Sequence, residues 1–438
     1  MATTKLSRTI GTPTSGTKFT VSAWVKGSMA EGRILTSING NSSQTWVELQ
    51  NSGAFRIANY VGSYNMQLIT TRLFRDPSAW YNFVIAFDTT QVTDTNRVKL
   101  YVNGVQETSF STTTYPSQNL VLKYGVSGQT FNVGAKDTDT YWNGLMTHVH
   151  FIDGLQYAAS DFGETDSTSG IWTAKTTPSV TYGNNGFFLK MENASAMGTD
   201  SSGNSNTFTV SGSLTKNQDT PANNFATLNP LNAFYTNSTF SNGNTTFASG
   251  NSSSGTVGNF LINTGKYYWE VKAVSKAGGG DNYGIGIQGQ DATATNQFPG
   301  DQSTGWMFYG GGNYYNSGSG TSAGVTYTAG DIIGVALDCT NNKLYFSKNG
   351  TFILSGNPST GANGISITAP ASVTLGGYYP SQTFWENSTS GTFSINFGNG
   401  YFGTTAVSSA GTNASSNGIF EYDVPANFTA LSTKGLNL

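Results

Sequence analysis

Gly330-Asp331-Ile332-Ile333-Gly334-Val335-Ala336-Leu337-Asp338, followed by Lys343-Leu344-Tyr345-Phe346-Ser347-Lys348-Asn349-Gly350, is the stretch on which the fold of this chain turns. Residues 332–337 are nearly continuously apolar, the pattern of a strand covered on both faces at the centre of a sheet. In the next run Leu344 and Phe346 alternate with Lys343, Tyr345 and Ser347, the two-residue period of a half-buried strand. Asn349-Gly350 then supplies two residues that tolerate positive φ, so a hairpin is expected there.

The same pattern extends in both directions. Tyr267, Trp269 and Val271 alternate, Tyr283, Ile285 and Ile287 share one face, and Phe393, Ile395 and Phe397 form a late strand. In the first half, Phe19, Val21, Ala23 and Val25 alternate, as do Tyr81, Phe83, Ile85 and Phe87. Val98, Leu100 and Val102 lead into a second hairpin signal at Asn103-Gly104. Further strands are expected near 131–134, 145–152, 187–191 and 207–210. Helical periodicity is almost absent. The fold class is therefore all-β, with two tandem β-sandwiches. The expected division is residues 1–215, a linker over 216–235 that lacks periodicity, and 236–438. Residues 235–258, rich in Ser, Asn and Gly, are expected to form short strands.

Composition narrows the function. Charged residues are 10% of the 438, against roughly 25% in an average soluble protein. The net charge of −3 argues against sequence-independent nucleic-acid binding, which needs dense cationic surface. Cys339 is the one cysteine and His148 and His150 the two histidines, too few for a disulfide or a multi-thiolate metal site. No apolar run approaches the roughly 20 residues of a membrane-spanning helix. The first eleven residues lack an apolar signal region, so synthesis in a cytoplasm without secretory export is expected.

Phe19 to Lys26, Trp80 to Val84, Val98 to Gly104 and Gly144 to Gly154 together resemble the laminin-G/concanavalin-like jelly-roll family over roughly residues 5–160. Gly265 to Val271, Gly330 to Asp338, Leu344 to Gly350 and Phe393 to Gly398 resemble, in the right order, the SPRY (B30.2-like) domain. Both resemblances imply β-sandwiches that act mostly in recognition. Asp161 to Glu164, Tyr182 to Leu189, Asp200 to Asn204 and Asn224 to Pro230 resemble structural proteins of tailed phages, marine ones especially. That likeness implies a non-enzymatic virion protein, as capsid decoration, fibre or tail-associated protein, partnered by other virion proteins. The alternative is an adhesin that binds a host-surface glycan or receptor, and the second alternative a glycan-cleaving enzyme.

Candidate chemistry is sparse. Gly284 to Gly289 satisfies G-x-G-x-x-G, but Gln290 to Pro299 reads as a loop where a phosphate site needs a helix. His148 and His150 sit two apart on an expected strand, where they share a face, with Asp153 as a third metal ligand or, on the preferred reading, as ordinary solvent-facing residues. A retaining glycosidase needs two carboxylates about 5 Å apart, and Glu48, Glu270 and Glu421 stand isolated, so no catalytic residue is assigned. Asp137 and Asp139 are the calcium candidates, weighed against a solvated turn, and no other cofactor is expected. In Trp306 to Asn316, the indole and Phe308 are expected in the core, while Tyr309, Asn313, Tyr314 and Tyr315 are the candidate ligand-binding residues. The low charge leaves little long-range repulsion between copies, so a homo-oligomer is expected, a trimer by analogy with phage spikes.

Overall fold

The computed structural model describes residues 4–27, 30–167, 170–234, 238–250, 253–277, 282–290, 298–385 and 390–437. It divides into two compact units, residues 1–216 and 217–438. Each is built from a pair of antiparallel sheets, and helix among the described residues is confined to three-residue 3₁₀ turns.

In the first unit one sheet runs, edge to edge, through Phe110–Thr114, Tyr64–Leu73, Ala54–Val61, Ser43–Leu49, Gly32–Ile38, Thr130–Val133, Lys5–Thr9 and Thr209–Ser211. The other runs through Phe187–Leu189, Gly144–Asp153, Lys18–Gly27, Tyr81–Asp88, Val98–Val102 and Val105–Glu107. Alternation decides what fills the space between them. Phe19, Val21 and Val25 pack with Phe83, Ile85 and Phe87 against Val47, Phe55, Ile57 and Phe131. Each such side chain contributes about 1.5–3 kcal/mol by leaving water. Asn103 and Gly104 have φ of 47° and 81°, the mirror-image turn that the strand twist requires.

The six-stranded sheet is covered on its other face as well. Val84 and Ile152 project outward from it beside Phe188 of its edge strand and are sealed by Phe162 and Tyr182 from the irregular chain that follows Asp153. Asp153 fastens this third layer. Its carboxylate accepts from the backbone N–H of Thr14 at 2.9 Å and of Asn185 at 3.0 Å. Gly183 has φ of 70°, and a Cβ there would lie 1.8 Å from the Asp153 carbonyl oxygen, so no larger residue fits.

In the second unit one sheet runs through Leu228–Phe234, Ser254–Gly258, Tyr379–Phe384, Tyr283–Gln288, Gly305–Tyr309, Asn313–Asn316 and Ser319–Ser322. The facing sheet has Lys266–Ala277, Ile332–Asp338 and Lys343–Lys348 side by side, with Ser390–Asn396 beyond the first of these. Ile332–Asp338 is central and wholly buried, as its composition requires. The glycine-rich run 284–289 is largely strand, while 291–297 of the expected loop lie outside the described residues. Trp269, Val271, Ile285, Ile287, Phe308, Val335, Phe346 and Phe393 form the core. Here too a third layer is present, with Phe420, Val424 and Phe428 packed on Tyr268, Ala336 and Tyr345.

The expected linker is not one. Residues 217–234 belong to the second unit, where Phe225, Ala226 and Leu228 are buried and Leu228–Phe234 pairs with Ser254–Gly258. Pro230 and a register break between Leu228 and Ala233 erase the alternation that would have marked this strand. Tyr235 lies outside the described residues.

Candidate recognition surfaces

The pleat separates the four candidate tyrosine and asparagine residues. Tyr314 stands opposite Phe308 and faces the core, while Tyr315 stands opposite Met307. Tyr309, Asn313 and Tyr315 therefore share the outer face of the sheet. Tyr309, expected near the surface, is buried at 7% exposure. Its ring lies against Gly284, where a Cβ would come within 3.0 Å, and meets Tyr315 edge-on at 5.3 Å. Tyr315 and Asn313 are half-buried. Asn316 donates to the carbonyls of Gln302, Ser303 and Gly305 and so fixes the neighbouring loop.

The sequence reading missed a cluster on the outer face of the eight-stranded sheet of the first unit. Trp46 and Glu48 alternate with the core residue Val47, and their cross-strand neighbours bring Arg33 and Arg56 beside them. The Arg33 guanidinium lies 4.1 Å from the Trp46 ring centroid, its Nε is 2.7 Å from Glu48 Oε2, and its Nη1 donates to Gln44 at 2.9 Å. Arg56 binds the other oxygen of Glu48. Glu48 is fully buried between two cations. Burial pulls the Arg33 pKa below its ordinary value while Glu48 raises it again. Tyr60 and Tyr64 close the cluster, with Tyr64 ring 6.1 Å from Trp46 and 44% exposed. The signal was present in the run Gln44 to Glu48, where a Trp and an acid occupy the polar positions of an alternating strand.

The other candidate acids and the histidines make contacts within the fold. Glu270 is fully buried and accepts from the backbone N–H groups of Glu421 and Tyr422, both at 2.9 Å, from the Tyr268 hydroxyl at 3.2 Å and from Asn396 at 3.3 Å. Burial raises its pKa to about 7 against the pull of those donors. His150 is not solvent-facing. It is 1% exposed, stacked on Phe188 at 3.9 Å, with Nδ1 3.0 Å from the Tyr182 hydroxyl. Burial drives its pKa well below 6.5, so it is neutral. His148 sits at a bulge with φ of 49°, and the Asp153 carboxylate serves the backbone amides already described. Asp137 pairs with Lys5 at 2.7 Å and Asp139 with Lys136 at 3.3 Å. Among the described residues no three His, Cys, Asp or Glu side chains converge on one point.

The two sandwiches suggest a binding or recognition module. Residues 4–158 match the concanavalin A-like lectin/glucanases superfamily, and residues 266–395 match the SPRY domain. The chain thus carries a concanavalin-like domain followed by a SPRY domain. Among relatives, Ran-binding protein 9 of Danio rerio is 39% identical over 89 residues, 20% of this chain and 14% of that protein. Ran-binding protein 10 of Danio rerio is 40% identical over 89 residues, with the same two shares. The match therefore spans about one seventh of the length of those relatives. The SPRY domain of human HERC1 overlays with a TM-score of 0.31 at 17% identity, over 38% of this chain and 96% of that domain.

Proposed function

We propose that this chain is a non-catalytic recognition protein of a tailed-phage virion, and that its SPRY unit docks a protein partner at the hairpin of Asn313–Asn316 and Ser319–Ser322. The observation that carries the docking surface is this hairpin itself, which presents Asn313, Tyr315 and a fully exposed outer strand with no charge on it. The names of the Ran-binding relatives record a protein ligand and support a protein partner for this unit. The virion setting is supported by the likeness of residues 161–164, 182–189, 200–204 and 224–230 to phage structural proteins. Assembly as a trimer belongs to the same proposal.

Mass spectrometry of purified virions, combined with a photo-cross-linking residue at Tyr315, tests it. The expected result is this chain among the virion proteins, cross-linked to another of them. Its absence from virions overturns the setting, and its presence without a Tyr315 cross-link overturns the docking surface. A second reading, glycan recognition by an adhesin, is favoured by Tyr60 and exposed Tyr64 over Trp46, since aromatic faces stack on sugar rings. Glycan-array binding lost on Tyr64→Ala would select it.

A further inference from the structure

Between Asp301 and Asp331 the chain carries neither a charged residue nor a proline. The strand Ser319–Ser322 lies in this stretch at the edge of the seven-stranded sheet, pairs among the described residues only with Asn313–Asn316, and is exposed along its whole length. Natural sheets guard such edges with charge, proline or a bulge. The opposite edge of the same sheet is guarded in this way, by Pro230 and by the register break between Leu228 and Ala233. Ser319–Ser322 has none of these devices.

The geometry of this edge is specific. Ser317 and Gly318, with φ of 54° and 71°, make a two-residue turn, so the flanking pair Asn316 and Ser319 is the hydrogen-bonded kind. Alternation then turns the N–H and C=O of Gly320 and Ser322 to the free side. Gly320 stands opposite Tyr315, and a Cβ on it would lie 2.9 Å from the Tyr315 ring. The ring therefore lies across the edge glycine, beside the free edge. At the turn, Asp301 Oδ1 is 4.0 Å from the Cβ position of Gly318. The Asp301 carboxylate has no hydrogen bond or ion pair among the described residues, and burial pushes its pKa up. A neighbouring cation would relieve it.

We propose that Ser319–Ser322 accepts an added strand from a protein partner: an extended, uncharged segment with an apolar residue against Tyr315 and a Lys or Arg at the end beside Asp301. Backbone hydrogen bonds to Gly320 and Ser322 supply affinity, and the two side-chain contacts supply choice. A second copy of this chain is the poorer occupant. The same strand from another copy brings no basic residue, and a four-residue edge is small beside the roughly 1,600 Å² of a standard stable interface.

This inference rests on the SPRY unit being a protein-docking surface, and its test uses the chain without virions, so the two fail separately. A library of displayed random decapeptides is selected on the full chain. Enriched peptides should share a neutral apolar core and a basic end. Their affinity should fall at least tenfold on Gly320→Pro, which removes one outward N–H, and severalfold on Asp301→Asn, with circular dichroism unchanged in both. The proposal is overturned by no enrichment, by peptides that bind Gly320→Pro as well as the parent, or by acidic ends. Sedimentation showing a dimer that Gly320→Pro dissociates also overturns it, because a second copy then occupies the edge. If Gly320→Pro is misfolded, Ser322→Pro replaces it, with the same outcomes.

Discussion

Replacing Glu270 with Gln isolates one buried charge. The carboxylate collects four donors, two on each oxygen. In Gln one oxygen becomes NH₂ and sets a backbone N–H of Glu421 or Tyr422 against another donor, at a cost of about 1–3 kcal/mol. The substitution also removes an ionisation that burial disfavours. The Glu270 pKa rises from 4.5 to about 7 on folding. Its contribution is therefore fully present below 4.5 and is lost as pH rises through 7, because between those values the folded state still holds a proton that the unfolded state has released. At about 1.4 kcal/mol per pH unit the loss is about 3 kcal/mol. The Gln variant is thus the less stable protein at pH 5, and the gap narrows by about 2.5 kcal/mol by pH 8. Urea unfolding of both full-length chains from pH 5 to pH 8 measures this. Hydrogen exchange at the Glu421 and Tyr422 amides assigns the change to this site. A gap that stays constant across the range refutes the reasoning.

Glu48→Gln leaves Arg33 and Arg56 without their anion and should destabilise the first unit by about 3–5 kcal/mol, read as a lower urea midpoint. His150 refuses a proton that the unfolded chain accepts below 6.5, so the first unit should lose thermal stability as pH falls from 6.5, and His150→Phe should flatten that slope. Gly183→Ala places a Cβ against the Asp153 carbonyl at positive φ and should cost about 3 kcal/mol or more, seen as a large drop in Tm. With Asp137 and Asp139 each held by a lysine, micromolar calcium should leave the melting curve unmoved, and a rise of several degrees would establish a site.

Legibility in the sequence followed the period of the side chains. Phe19 to Val25 and Ile332 to Leu337 announced their strands because alternation or continuity of apolar residues is what packing between two sheets demands. Asn103-Gly104 and Asn349-Gly350 announced their turns for equally local reasons. The third layers were silent. Phe162, Tyr182 and Phe420 sit in irregular chain, and what holds them is a carboxylate on a distant strand, Asp153 or Glu270, bonded to backbone amides. No period records such a contact, so the fastening roles of both acids went unread and His150 was placed on a solvent face. Tyr309 failed differently. It lies flat over Gly284 on the neighbouring strand, and cross-strand partners are invisible without the register. The Trp46, Arg33 and Glu48 cluster was hidden for the same reason.

The two fastening carboxylates also set a timetable. Asp153 bonds to Thr14, 139 residues earlier, and Glu270 bonds to Glu421, 151 residues later. Each sandwich already closes long pairings within its sheets, Leu6 beside Val210 and Thr246 beside Ser394, and its outer face is sealed only when both ends of such a span exist. Long-range closure of this kind slows folding, since chain entropy is lost before the contact returns it. During synthesis the second unit therefore exposes Tyr268, Ala336 and Tyr345 until Phe420 to Phe428 has been made. A nascent chain of this protein is most prone to stick to its neighbours in that interval, after its core has formed and before its covering strap arrives.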